Sequence, residues 1–129
     1  MIESIDDSVG RVTAALERLG LERNTLIVFM SDNGGYLDYP AGGFENVSSN
    51  GPLKGQKTEV EEGGHRVLCI FYWPEKISAA QVTDETVLTM DLFPTFARLA
   101  GAELPRRQQL DGVDLTSLLL EQEPLMQRT

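Results

Sequence analysis

The chain of 129 residues has one cysteine, one histidine and one tryptophan, and its basic residues, 11 in number, are well outnumbered by 20 acidic ones. A single cysteine leaves no partner for an intrachain disulfide. Cys69 lies in the apolar run Val67-Leu-Cys-Ile-Phe-Tyr72, where a small buried thiol is the ordinary expectation. A net charge of -9 excludes a broad phosphate-neutralising surface and therefore a nucleic-acid partner, although a local anion pocket stays compatible with it. No apolar run approaches the roughly 20 residues that span a bilayer, so a membrane-spanning role is excluded as well. The first residues, Met1-Ile-Glu-Ser-Ile-Asp-Asp7, carry acids where a signal peptide carries bases. Internal repeats and low-complexity tracts are also lacking.

What is present reads as one α/β domain, with 41% hydrophobic residues over 129 positions and a modest core. Ile2, Ile5, Val9, Val12, Leu16 and Leu19 recur at steps of three and four, which predicts an amphipathic helix closed by Arg18 and stopped at Gly20. Asn24 marks the turn into an apolar strand, Thr25–Met30. That strand shows no polar alternation, which predicts cover on both faces, as in a central parallel strand. Residues 34–56 read as a long loop rich in glycine, proline, asparagine and serine, and loops of that length are usually functional or disordered. A second buried strand is predicted over Val67–Trp73, an extended segment over Asp84–Thr89, a helix over Asp91–Ala100 with Pro94 in its first turn, and a short helix over Leu115–Leu120.

Two clusters carry chemistry. The first strand empties into Ser31-Asp-Asn-Gly-Gly35, placing a carboxylate and a carboxamide side by side. Two hard oxygen donors at the carboxyl end of a strand suit a divalent cation. The same residues also suit a hairpin turn or a helix cap, but Tyr36-Leu-Asp-Tyr-Pro-Ala-Gly-Gly43 is a poor returning strand. The second cluster is Gly51-Pro-Leu-Lys-Gly-Gln-Lys57, followed by Glu62-Gly-Gly-His-Arg66. Glycine-flanked lysines can present a compact cation to a tetrahedral anion, or they can form an ordinary solvated basic loop. His65 receives no role.

In this order, the two clusters together with Trp73-Pro74, Asp91-Leu-Phe-Pro-Thr95 and Leu110-Asp-Gly-Val-Asp-Leu115 resemble the sulfatase family of the alkaline phosphatase superfamily. The resemblance implies a partial alkaline-phosphatase-like α/β sandwich, with mostly parallel central strands flanked by helices. Residues 1–129 would form the C-terminal portion of the catalytic domain. It implies further that Asp32 and Asn33 ligate a divalent cation, calcium with magnesium as the alternative, and that Lys57, rather than Lys54, contacts the sulfate ester. Glu62 and Arg66 would brace the loop. The family's Cys-or-Ser-X-Pro-X-Arg motif, whose first residue becomes formylglycine, is not encoded here, since Cys69 precedes Ile70-Phe71-Tyr72. The paired N-terminal aspartates and the histidines near the leaving group are missing too. Local departures include Leu68 where proline is usual, Glu61 where an aromatic is common, and Thr58 where glycine often follows the lysine. The expected function is therefore a sulfuric ester hydrolase fragment holding half of a site. Its partners would be the sulfate ester substrate and the missing N-terminal part of the sheet. Relatives of this kind are often periplasmic, secreted or lysosomal. A phosphonate or phosphate monoester hydrolase fragment, or a non-catalytic metal- or partner-binding module, are the alternatives.

Overall fold

The computed structural model describes residues 2–37, 48–104 and 107–125. In chain order it contains α1 (Ile2–Arg18), a 3-10 turn (Glu22–Asn24), β1 (Ile27–Met30), α2 (Glu62–His65), β2 (Cys69–Tyr72), a second 3-10 turn (Thr89–Asp91), α3 (Leu92–Leu99) and α4 (Thr116–Glu121). Part of the loop expected over 34–56 lies outside the described residues, at 38–47. The chain divides into two compact units, Leu26–Tyr72 and the combination of Met1–Thr25 with Trp73–Thr129.

In the unit Leu26–Tyr72, β1 pairs with β2 from Ile27 opposite Tyr72 to Met30 opposite Cys69. The pairing is antiparallel, which corrects the parallel arrangement expected for β1. The reason is the connection. A parallel pair needs a crossover, whereas here the chain turns back and zips onto itself, Gly34 N–H donating to Gly64 O at 2.9 Å and Lys57 N–H to Gly35 O at 3.1 Å. Cover on both faces is likewise not found. Phe29, Cys69, Ile70 and Tyr72 are exposed, and among the described residues no third strand joins the sheet. The α/β class itself stands, as a small sheet with helices.

Close backbone packing explains the glycines of this unit. A Cβ on Gly34 would stand 1.7 Å from Gly63 O, and one on Gly63 would stand 2.3 Å from Gly55 O. No side chain fits either place, so the strand end, the lysine loop and the Gly63-Gly64 turn are held together at van der Waals limits.

In the other unit, α1 ends where Gly20 takes φ 65°. Gly20 N–H donates to Glu17 O and Leu21 N–H to Leu16 O, both at 2.9 Å, which satisfies two orphan carbonyls in a Schellman motif. No residue of α1 is buried, and its apolar row of Ile2, Ile5, Val9, Val12 and Leu19 is exposed. The Trp73 indole N–H donates to Arg23 O at 3.0 Å, and Arg23 pairs with Glu75 at 2.6 Å. Beside α3, Asp91, Thr95 and Leu115 are fully buried. Asp91 Oδ2 accepts Leu88 N–H at 2.7 Å and Oδ1 accepts Val113 N–H at 2.9 Å. Thr95 Oγ1 donates to Asp91 O at 2.6 Å and accepts Leu115 N–H at 2.9 Å.

Candidate metal and sulfate half-site

β1 delivers Asp32 and Asn33 at its carboxyl end, and the turn that follows is fixed locally. Ser31 Oγ donates to Asn33 O at 2.8 Å, while Asn33 Nδ2 donates to Gly34 O at 2.9 Å. With its nitrogen engaged by backbone, the Asn33 carboxamide keeps Oδ1 as an available acceptor. Asp32 is exposed, and among the described residues neither its carboxylate nor Asn33 Oδ1 has a hydrogen-bond or ion-pair partner. Two adjacent hard oxygens without internal partners fit calcium or magnesium as a donor set. They fit one side of a centre only, since calcium takes about 6–8 oxygens. Among the described residues no group of three or more His, Cys, Asp or Glu could hold a metal ion.

The lysine loop reaches the same place through its backbone. Lys57 N–H bonds to the carbonyl of Gly35, two residues beyond Asn33, so the strand end and the lysine share one hydrogen-bonded core. The three cations of this loop differ in their partners. Lys54 lies 3.3 Å from Glu61 and Arg66 lies 2.6 Å from Glu62, whereas Lys57 has no ion pair among the described residues. Both pairs are solvent-exposed and contribute little to stability, about 0–1 kcal/mol. They give Lys54 and Arg66 a carboxylate neighbour that Lys57 lacks among the described residues. The charge pair expected between Glu62 and Arg66 is present. Thr58, directly after the lysine, takes φ 79°.

Two side chains that tie this core together carried no functional expectation. Asn50 Oδ1 accepts Gly35 N–H at 2.8 Å, and its Nδ2 donates to Gly35 O at 2.8 Å and Gly55 O at 3.0 Å. Gln56 is buried; its Oε1 accepts Leu37 N–H at 2.6 Å and its Nε2 donates to Glu59 at 3.3 Å. In sequence, both look like ordinary loop amides. The one legible signal is that Asn50 immediately precedes the Gly51–Lys57 motif. His65 is exposed. Cys69 is exposed too, which corrects the expected buried thiol: an apolar run alone does not bury a strand, and its neighbours Leu68 and Ile70 are exposed as well. Desolvation by its strand neighbours still pushes the thiol pKa up, the opposite of what a thiolate nucleophile needs.

Comparison with known proteins bears on the family of the chain. The Sulfatase family profile matches residues 1–102. The chain is 47% identical over 119 residues to the steryl-sulfatase of Mus musculus, covering 92% of this chain and 19% of that protein. It is 40% identical to the N-acetylgalactosamine-6-sulfatase of Rattus norvegicus, covering 93% and 22%. Among solved structures, that of Ps i-CgsB in complex with k-i-k-neocarrahexaose superposes with a TM-score of 0.85 at 40% identity, covering 96% of this chain and 26% of the other. The chain thus spans about a fifth of the length of these curated relatives. With its motifs in order and most of its length matched, the chain belongs to the sulfatase family.

Proposed function

We propose that this chain supplies the C-terminal part of a sulfuric ester hydrolase site, in which Asp32 and Asn33 hold a divalent cation and Lys57 holds the sulfate ester. The observation that carries the reading is the contrast within one loop: Lys54 and Arg66 are each paired with a carboxylate, while Lys57 carries no ion pair among the described residues and is tied by its amide to the strand end that presents Asp32 and Asn33. Calcium is the favoured ion and magnesium the alternative, because both donors are hard oxygens. A cation held there would draw electron density from the sulfate oxygens. Asp32 and Asn33 would hold that cation by their side-chain oxygens. The Lys57 ammonium neutralises charge on a nonbridging or departing oxygen, an attraction that grows as the S–O bond to the alcohol lengthens.

The nucleophile is not among these residues, since the formylglycine motif is not encoded and Cys69 is a poor thiolate. The remaining cation ligands would likewise come from the N-terminal part of such a domain. The relatives' names span a sterol and an amino sugar, so the reading commits to the ester and leaves the alcohol open. Purified chain, incubated with 4-nitrophenyl sulfate and calcium, is expected to show no turnover above the uncatalysed rate. Metal-dependent release of nitrophenol by this chain alone would contradict the half-site assignment.

A further inference from the structure

The Gly35 peptide is held on both sides by one side chain, Asn50, whose Oδ1 accepts its N–H at 2.8 Å and whose Nδ2 donates to its carbonyl at 2.8 Å. The same Nδ2 donates to Gly55 O at 3.0 Å. Gly35 follows the cation pair Asp32-Asn33 by two residues, and Gly55 precedes Lys57 by two. The Gly35 carbonyl is shared: besides Asn50 it accepts Lys57 N–H at 3.1 Å. From this sharing we infer that Asn50 is a positioning residue, which sets Lys57 relative to Asp32 and Asn33. The inference rests on the sulfate-lysine reading for its purpose, but not for its geometry.

The chemistry singles out a carboxamide. A peptide offers a donor and an acceptor, and only a side chain with both can clasp both. Aspartate keeps the acceptor and loses the donor, and alanine loses both. The clasp is fitted closely, since a Cβ on Gly35 would stand 3.0 Å from Asn50 Oδ1. Positioning matters at Lys57 because its ammonium rides on a flexible stem, so the backbone origin is the one coordinate the fold can fix. A misplacement of about 1 Å is enough to lose most of an oriented electrostatic contribution.

Hydrogen–deuterium exchange of the full chain at micromolar concentration, read by mass spectrometry in peptides spanning 31–37, 53–59 and 67–73, tests the inference. Asn50→Ala is expected to accelerate exchange by about tenfold in 31–37 and 53–59, leaving 67–73 unchanged. Asn50→Asp retains the acceptor for Gly35 N–H. It should keep 31–37 protected while 53–59 loosens, a split that general loop destabilisation does not produce. Inorganic sulfate should protect 53–59 in the parent chain and several-fold less in Asn50→Ala. Unchanged exchange in Asn50→Ala, or equal acceleration in 67–73, would overturn the positioning role. Lys57→Ala separates the two claims. It should abolish sulfate protection without altering exchange, and a parent chain whose 53–59 segment ignores sulfate counts against the sulfate-lysine reading, while the exchange split still decides on Asn50.

Discussion

Thr58 takes φ 79° immediately after Lys57, in the left-handed region where a β-branched side chain crowds its own backbone. Such a residue costs about 1–2 kcal/mol there. Glycine, the residue common at this place in the family, removes that crowding but costs about 0.5–1 kcal/mol in return, because it leaves the unfolded chain more entropy to lose on folding. Thr58→Gly should therefore stabilise the chain by about 0.5–1 kcal/mol, visible as a raised urea midpoint at unchanged slope, whereas Thr58→Ala gives no such gain. A lowered midpoint for the glycine variant would show that Thr58 makes a compensating contact. The residue scale also explains why Lys57 and Lys54, alike in sequence, are unlike in structure. Glu61, which stands where an aromatic is common, takes up Lys54.

At the scale of elements, most of the regular structure was legible, because periodicity is a local property. The row of apolar residues from Ile2 to Leu19 predicted α1, Gly20 ended it, and the apolar runs predicted β1 and β2 at slightly greater length than observed. α3 and α4 also lie where expected. Strand direction and burial were not legible, since an unalternating run such as Leu26–Met30 cannot say how its connection returns. The short α2 was missed because Glu62-Gly-Gly-His65 has poor helix formers and is fixed by tertiary packing of Gly63 and Gly64. At the site, Asp32, Asn33 and Lys57 were readable as chemistry. Asn50 and Gln56 were not, because a clasp between segments 15 or 19 residues apart leaves no local pattern.

Asp91 shows the same limit in the second unit. It was read as the start of a helix and as part of a family motif, with no role of its own, yet its buried carboxylate joins Leu88 and Val113 and so locks the turn before α3 to the segment before α4. Removing it would leave two N–H donors unpaired around a cavity. Asp91→Ala is expected to cost about 3 kcal/mol or more in denaturant unfolding, with Asp91→Asn costing less because it keeps one acceptor. Equal stability of Asp91→Ala and the parent chain would show that α3 and α4 are held by other contacts.

For the whole molecule, Leu115 is the one buried hydrophobic residue among those described, and the apolar faces of α1 and β2 meet solvent. A domain of this length ordinarily buries a real core. The chain matches 19% of the steryl-sulfatase by sequence and 26% of Ps i-CgsB by structure. On the proposed half-site reading, the contribution of this chain is measured best inside a complete sulfatase. The decisive experiment replaces the matching fifth of the N-acetylgalactosamine-6-sulfatase of Rattus norvegicus with this chain and follows hydrolysis of a sulfate ester that the unaltered relative turns over. The chimera is expected to retain calcium-dependent activity, with Asp32→Ala and Lys57→Ala each lowering kcat by about 100-fold or more and Lys54→Ala by less than about threefold. A folded chimera in which Lys57→Ala is as active as its parent, or in which Lys54→Ala is equally damaging, would contradict the assignment of the half-site.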